Sequence, residues 1–156
     1  MSVMKEDVVR RLYAAYNTLL KHDRALLELD ANERSLTHKL AEHLQDEFPD
    51  WNVDCEYNRK GTLPKRLIGI KENVSIDDTC GKTVFPDVIV HHRGTTDNLL
   101  VIEAKKSITI GGSEDEEKLR AYKGEHEYRF AFAVVFPVGS RASEANPSTD
   151  IAEVLE

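Results

Sequence analysis

Asp87, Glu103 and Lys105 are the residues whose types and spacing most suggest chemistry. They flank two apolar runs, Val88-Ile89-Val90 and Leu99-Leu100-Val101-Ile102, joined by a polar connection from Arg93 to Asn98. β-branched and apolar runs bounded by turn formers predict a hairpin of two buried strands. A pairing symmetric about Thr95 sets Asp87 opposite Glu103, and alternation then puts Asp87, Glu103 and Lys105 on one face. Two carboxylates and an ammonium at the end of a buried hairpin pay a desolvation penalty that needs a reason. A divalent cation shared by the carboxylates supplies one, because it removes their mutual repulsion.

The elements around the hairpin must carry it. Val8, Val9, Leu12, Tyr13, Tyr16, Leu19 and Leu20 recur at helical spacing and predict a first amphipathic helix that extends towards Leu29. A second helix is expected after Asp30 or Asn32, ending before Pro49, with Leu36, Leu40, Ala41, Leu44 and Phe48 as its stripe. Glu33 falls near the middle of that stripe. It is either a first-turn acid that complements the helix dipole from solvent, or a carboxylate aimed at the site of Asp87 and Glu103. His38 falls off the stripe and reads as a surface residue. Trp51 to Tyr57 alternates as a strand; its Glu56 can add to an acidic site or pair with a nearby Arg or Lys at the strand end.

Gly61 and Pro64 break regular structure, so Asn58 to Lys71 is expected as an exposed excursion, with an edge strand near Leu67, Ile68 and Ile70. After the hairpin, Ser113 and Glu116 form a capping-box pattern for a helix that carries Leu119 and Tyr122 and ends near Gly124. The acidic run Glu114 to Glu117 is then a solvated first turn. Tyr128 to Phe136 is a strand, reached by a crossover. Beyond Val138 a polar tail is expected, with a short helix from Ile151 to Leu155.

With 156 residues, 40% hydrophobic and 31% charged, the composition suits one soluble globular domain. The apolar runs are too short to span a bilayer and no signal segment is expected at the start, so a cytoplasmic protein without membrane contact is anticipated. Cys55 and Cys80 lack zinc-site spacing and read as reduced thiols. The net charge of −7 argues against a general nucleic-acid coat protein, but the charge is segregated. Arg59, Lys60, Lys65, Arg66 and Lys71 form an acid-free basic span, and Lys65 and Arg66 are its candidate phosphate contacts. Lys118, with Arg120 and Lys123, offers a second set on the later helix.

Pro86-Asp87 followed on the next strand by Glu103-Ala104-Lys105 resembles the motif of the PD-(D/E)XK nuclease superfamily. The order helix, three strands, helix, strand from Glu33 to Phe136 is similar to its restriction-endonuclease-like core. The resemblance implies an α/β fold with a central mixed sheet flanked by helices. It divides this single domain into an N-terminal helical extension (1–30), a core (31–137) and a C-terminal tail (138–156). It further implies that Asp87, Glu103 and the Ala104 carbonyl bind Mg²⁺, with Mn²⁺ as a substitute, and that Lys105 stands beside the attacking water. Glu33 matches the helix-borne glutamate of many members. The implied activity is hydrolysis of phosphodiester bonds, in DNA, of the restriction, repair or phage-defence type, and a homodimer follows by analogy. Two other readings stand beside it: a catalytically idle module of this fold that binds nucleic acid or a protein partner, and a scaffold in which Glu103 and Lys105 form a structural ion pair. Hairpin register separates them, because a one-residue slip moves Asp87 to the other face.

Overall fold

A computed structural model of the chain describes residues 2–57, 59–60, 63–64, 66–67, 82–83, 85–106, 113–125 and 127–155. Five strands lie side by side in chain order: β1 (Asn52–Cys55), β2 (Val88–His91), β3 (Asn98–Lys106), β4 (Phe130–Phe136) and β5 (Ile151–Glu153). Neighbours run antiparallel except β3 and β4, which are parallel. A parallel step needs a crossover. The helix α4 (Ser113–Glu125) supplies it and packs on β3 and β4. The protein is therefore a mixed α/β fold with a five-stranded mixed sheet flanked by helices.

Three helices precede the sheet: α1 (Lys5–His22), α2 (Arg24–Glu28) and α3 (Glu33–Glu47). The apolar stripe of α1 buries Val8, Leu12, Ala15, Tyr16, Leu19 and Leu20; that of α3 buries Leu36, Leu40, Ala41 and Leu44. Both stripes join Val88, Val90, Leu100 and Ile102 in one core. The opposite face of the sheet carries Ile89, Val101 and Ala131, which pack with Leu119, Tyr122 and Tyr128 under α4. Strict alternation along β2 sorts its residues between the two cores, as a strand covered on both faces requires.

The hairpin pairs Val88 with Ile102, Ile89 with Val101 and Val90 with Leu100, the register expected from its sequence. Towards the turn that symmetry fails: His91 pairs with Asn98, so Leu99 is an extra residue on β3. The bulge has a packing reason. Leu99 and Leu100 both enter the core beneath α1 and α3, which unbroken alternation forbids. Gly94, at φ +74°, makes the turn possible.

The C-terminal stretch differs from expectation. Ile151–Glu153 is strand rather than helix, and pairs through Ile151 with Val134 and Ala152 with Ala133. The free edge of β4 offers a row of backbone partners, and a segment of this length has no room for a stable helix of its own. Helical geometry occurs just before it, in the single turn α5 (Pro147–Asp150), where the Asn146 side chain accepts the Ser148 N–H at 3.0 Å. Tyr16 Oη then donates to Asp150 Oδ2 at 2.6 Å in the interior, tying α1 to α5 just before β5. The first helix thus belongs to the core and β5 to the sheet. The edge strand expected near Leu67 does not join the sheet: Arg66–Leu67 pairs with Lys82–Thr83 as a separate two-stranded unit, and Ile68 and Ile70 lie outside the described residues. No helix among the described residues is long and apolar enough to cross a membrane.

Candidate active site

Asp87 immediately precedes β2, and continuing the register from Val88 and Ile102 brings it opposite Glu103. Its carboxylate does more than face a partner. Oδ2 accepts the Ala104 N–H at 2.8 Å, so the carboxylate lies in the plane of the sheet, at the strand end, rather than standing over a face. Pro86, which precedes Asp87, has no N–H to add to the β2–β3 ladder, and the pairing of the hairpin begins at Val88. The Asp87 carbonyl accepts the Glu56 N–H at 3.3 Å, which ties the end of β1 to the same point.

Glu103 is buried, with 7% of its surface exposed, and pairs across the parallel ladder with Ala133, which packs under α4. Lys105 follows two residues along the same face and is half-buried. Ala104 points its methyl into the opposite core. The two-residue period thus puts Glu103 and Lys105 on one face and Ala104 on the other.

A cavity of about 570 Å³ opens beside Asp87, lined also by Glu33, Arg34, His38, Cys55 and Glu56. Its other wall is the start of α3. Asn32 caps that helix by accepting the Ser35 N–H at 2.8 Å. Lys106, at the end of β3, fixes the approach: its Nζ meets Asp30 Oδ1 at 2.8 Å and the Ala31 carbonyl at 3.3 Å. A contact three residues before Glu33 thus ties the helix start to the strand that bears Glu103 and Lys105. Glu33 is exposed and lines the cavity with Asp87, so it is a first-turn acid that also faces the site. Partial burial of the Cys55 thiol, followed by the charges of Glu56, Asp54 and Asp87, pushes its pKa up to about 11. The cavity is electronegative, and the thiol stays protonated at neutral pH.

No protein-family model, curated protein or solved structure matches the chain. Among the described residues, no group of three or more His, Cys, Asp and Glu side chains is placed to hold a metal ion. Asp87, Glu103 and the Ala104 carbonyl are an all-oxygen set with only two side-chain donors.

Lys65 and the Arg66 side chain lie outside the described residues, as does most of the basic span. Lys118 is half-buried on α4, the helix that covers the Glu103 face of the sheet. Arg34 and His38 were not readable as site residues. They stand four apart on the polar side of α3, and nothing in their spacing tells which strand end that side meets. Glu56 pairs with Arg34 at 3.2 Å, the strand-end ion pair anticipated for it, yet the pair sits on the cavity wall.

The far end of the hairpin holds a second polar cluster. His91, 2% exposed, meets Asp54 Oδ2 through Nε2 at 2.7 Å, while Arg93 donates Nε to Oδ2 at 2.8 Å and Nη2 to Oδ1 at 2.6 Å. Burial pushes the Asp54 carboxyl up, but the hydrogen bonds from Arg93 and His91 outweigh it and hold the group below the usual 3.8. A depressed folded value means that the unfolded chain takes up the proton first, so this stabilisation is present above pH 3.8 and lost as pH falls through the folded value. Asp54→Asn is expected to lower stability at neutral pH by about 2 kcal/mol. Denaturant melts across the acid range should also show a shallower acid limb than the unaltered chain.

Proposed function

We propose that this protein is a Mg²⁺-dependent nuclease that hydrolyses phosphodiester bonds in DNA, built on a restriction-endonuclease-like core. The observation that carries the reading is the seating of Asp87 at the strand end: opposite Glu103 in register, bonded to the Ala104 N–H, and open to a cavity that also receives Glu33. The element order α3, β1, β2, β3, α4, β4, with β3 and β4 parallel, supports the core assignment.

Asp87, Glu103 and the Ala104 carbonyl are the donors that would hold the metal. Mg²⁺ favours such a set, because it binds one or two carboxylates, retains waters and takes further oxygens from substrate phosphate instead of a closed protein cage. Bound there, the ion supplies Lewis acidity and lowers the pKa of a coordinated water. Lys105 is placed two residues beyond Glu103 to orient the attacking water and to stabilise charge on the phosphate. Glu33, which lines the cavity with Asp87, would accept a proton from that water or fix its direction from the α3 side. Lys65, Arg66 and Lys118 are the proposed backbone-phosphate contacts, and a homodimer is the assembly that would cut both strands.

Purified protein should cleave plasmid or oligonucleotide DNA in Mg²⁺ or Mn²⁺ and stop when a chelator is added. Binding without cleavage under every divalent cation tried would instead mark a nucleic-acid-binding module, and neither binding nor cleavage would remove the assignment altogether.

A further inference from the structure

The cavity beside Asp87 poses an electrostatic problem for any nucleic acid that enters it. Glu33, Glu56 and Asp87 contribute carboxylates to its lining, and each phosphate brings another negative charge. Among the described lining residues, Arg34 is the one with a permanent positive charge. It sits in the first turn of α3, a 15-residue helix whose N-terminal dipole also favours an anion. In the unliganded chain its Nη2 meets Glu56 Oε1 in a single contact of 3.2 Å, with the two side chains 83% and 51% exposed.

That pair is built to be exchanged. One long contact between two well-exposed side chains contributes little to stability, because water screens it and both partners lose rotamer freedom. A phosphate offers the guanidinium two parallel hydrogen bonds, a stronger and better oriented arrangement. Glu56 is nevertheless held in place. Its backbone adopts φ +51°, a left-handed conformation uncommon for a non-glycine residue, and its N–H is bonded to the Asp87 carbonyl. The turn out of the strand directs the carboxylate to the cavity wall beside Arg34, and ties its position to the residue proposed to hold the metal.

We infer that Arg34 grips a backbone phosphate of the nucleic-acid substrate, and that Glu56 occupies its guanidinium until the phosphate displaces it. The inference rests on the nuclease reading of Asp87 and Glu103 and adds to it a substrate-holding residue on α3. In the liganded state Arg34 spans the cavity mouth towards the phosphate, and Glu56 is released to solvent. Glu56 therefore opposes binding chiefly through Arg34, because its released carboxylate is screened by solvent.

The test is a double-mutant cycle with a fluorescein-labelled DNA oligonucleotide, titrated in Ca²⁺ so that binding is read without turnover, over a range of salt. Arg34→Gln should weaken binding about tenfold, with a salt slope reduced by about one. Arg34→Lys, which keeps the charge and loses the fork, should fall between. Glu56→Gln should tighten binding several-fold, and most of that gain should vanish in the Arg34→Gln background. Both side chains are exposed, so circular dichroism should show unaltered folding. If Arg34→Gln leaves affinity and slope unchanged while the parent chain still cleaves in Mg²⁺, the phosphate grip is wrong and the nuclease reading stands. If the Glu56→Gln gain persists without Arg34, Glu56 acts by general repulsion and the exchange is wrong. If the parent chain neither binds nor cleaves, both fall.

Discussion

Asp87→Asn should reduce DNA cleavage in Mg²⁺ by about 10³-fold, corresponding to the several kcal/mol that a correctly held cation supplies to such a reaction. The substitution separates charge from structure. An asparagine oxygen still accepts the Ala104 N–H that Asp87 Oδ2 now receives at 2.8 Å, so the strand end keeps its shape and the melting temperature should stay close to that of the parent. Asp87→Ala removes that acceptor too, and should add a loss of stability of about 1 kcal/mol. Lys105→Ala should leave folding intact and cost about 10²-fold in rate, the size expected for one group that stabilises developing charge. Single-turnover cleavage assays at saturating protein read these effects without interference from binding. Full activity in Asp87→Asn or Lys105→Ala would sink the catalytic assignment.

Tyr16→Phe should destabilise the whole fold although Tyr16 does not line the cavity. Tyr16 is fully buried, and its hydroxyl donates to Asp150 Oδ2 at 2.6 Å, with the Val135 carbonyl 3.1 Å from the same oxygen. Removing the donor leaves the Asp150 carboxylate with the Asn146 N–H and the weaker Thr149 hydroxyl contact, in a position only 9% exposed. A penalty of about 2 kcal/mol follows. At ~2–4 °C per kcal/mol for a chain of this size, Tm falls by about 4–8 °C. Burial, then the hydrogen bond to Asp150 and its charge, raise the Tyr16 pKa well above the ordinary 10.0. Burial does the same for Tyr128. A raised folded value gives stability that is complete below pH 10.0 and lost above it, as the unfolded tyrosines ionise first. Melts between neutral and strongly alkaline pH should therefore show stability declining on the alkaline side, less steeply in Tyr16→Phe. An unchanged Tm would mean that the α1–α5 tie contributes nothing to the cooperative unit.

The hairpin shows how far local pattern reaches. Period-two alternation over Val88–Val90 and Leu100–Ile102 is enough to set register, because a one-residue slip would turn every apolar side chain out of its core. Asp87 opposite Glu103 follows from that. The bulge at Leu99 does not follow, since it answers to the space beneath α1 and α3 and not to the strand's own residues. Likewise Asp87 was expected over a face of the sheet; the Ala104 N–H draws it into the sheet plane, where it can reach a cavity bordered by α3.

The amino-acid order alone determines the helices α1, α3 and α4, the central strands, and the placing of Asp87, Glu103 and Lys105 at one strand end. Those features depend on contacts a few residues apart, or on a hairpin whose register its own side chains enforce. The assembly of Glu33, Arg34, His38 and Glu56 around Asp87, and the pairing of Ile151–Glu153 with β4, depend on elements distant in the chain. Which side of α3 meets the end of β1, and which edge is left for the last strand, are settled by packing both cores at once. No local period encodes that. For Asp87 the consequence is concrete: its partner across the hairpin is legible in the sequence, and the cavity it serves becomes visible only once α3 is docked.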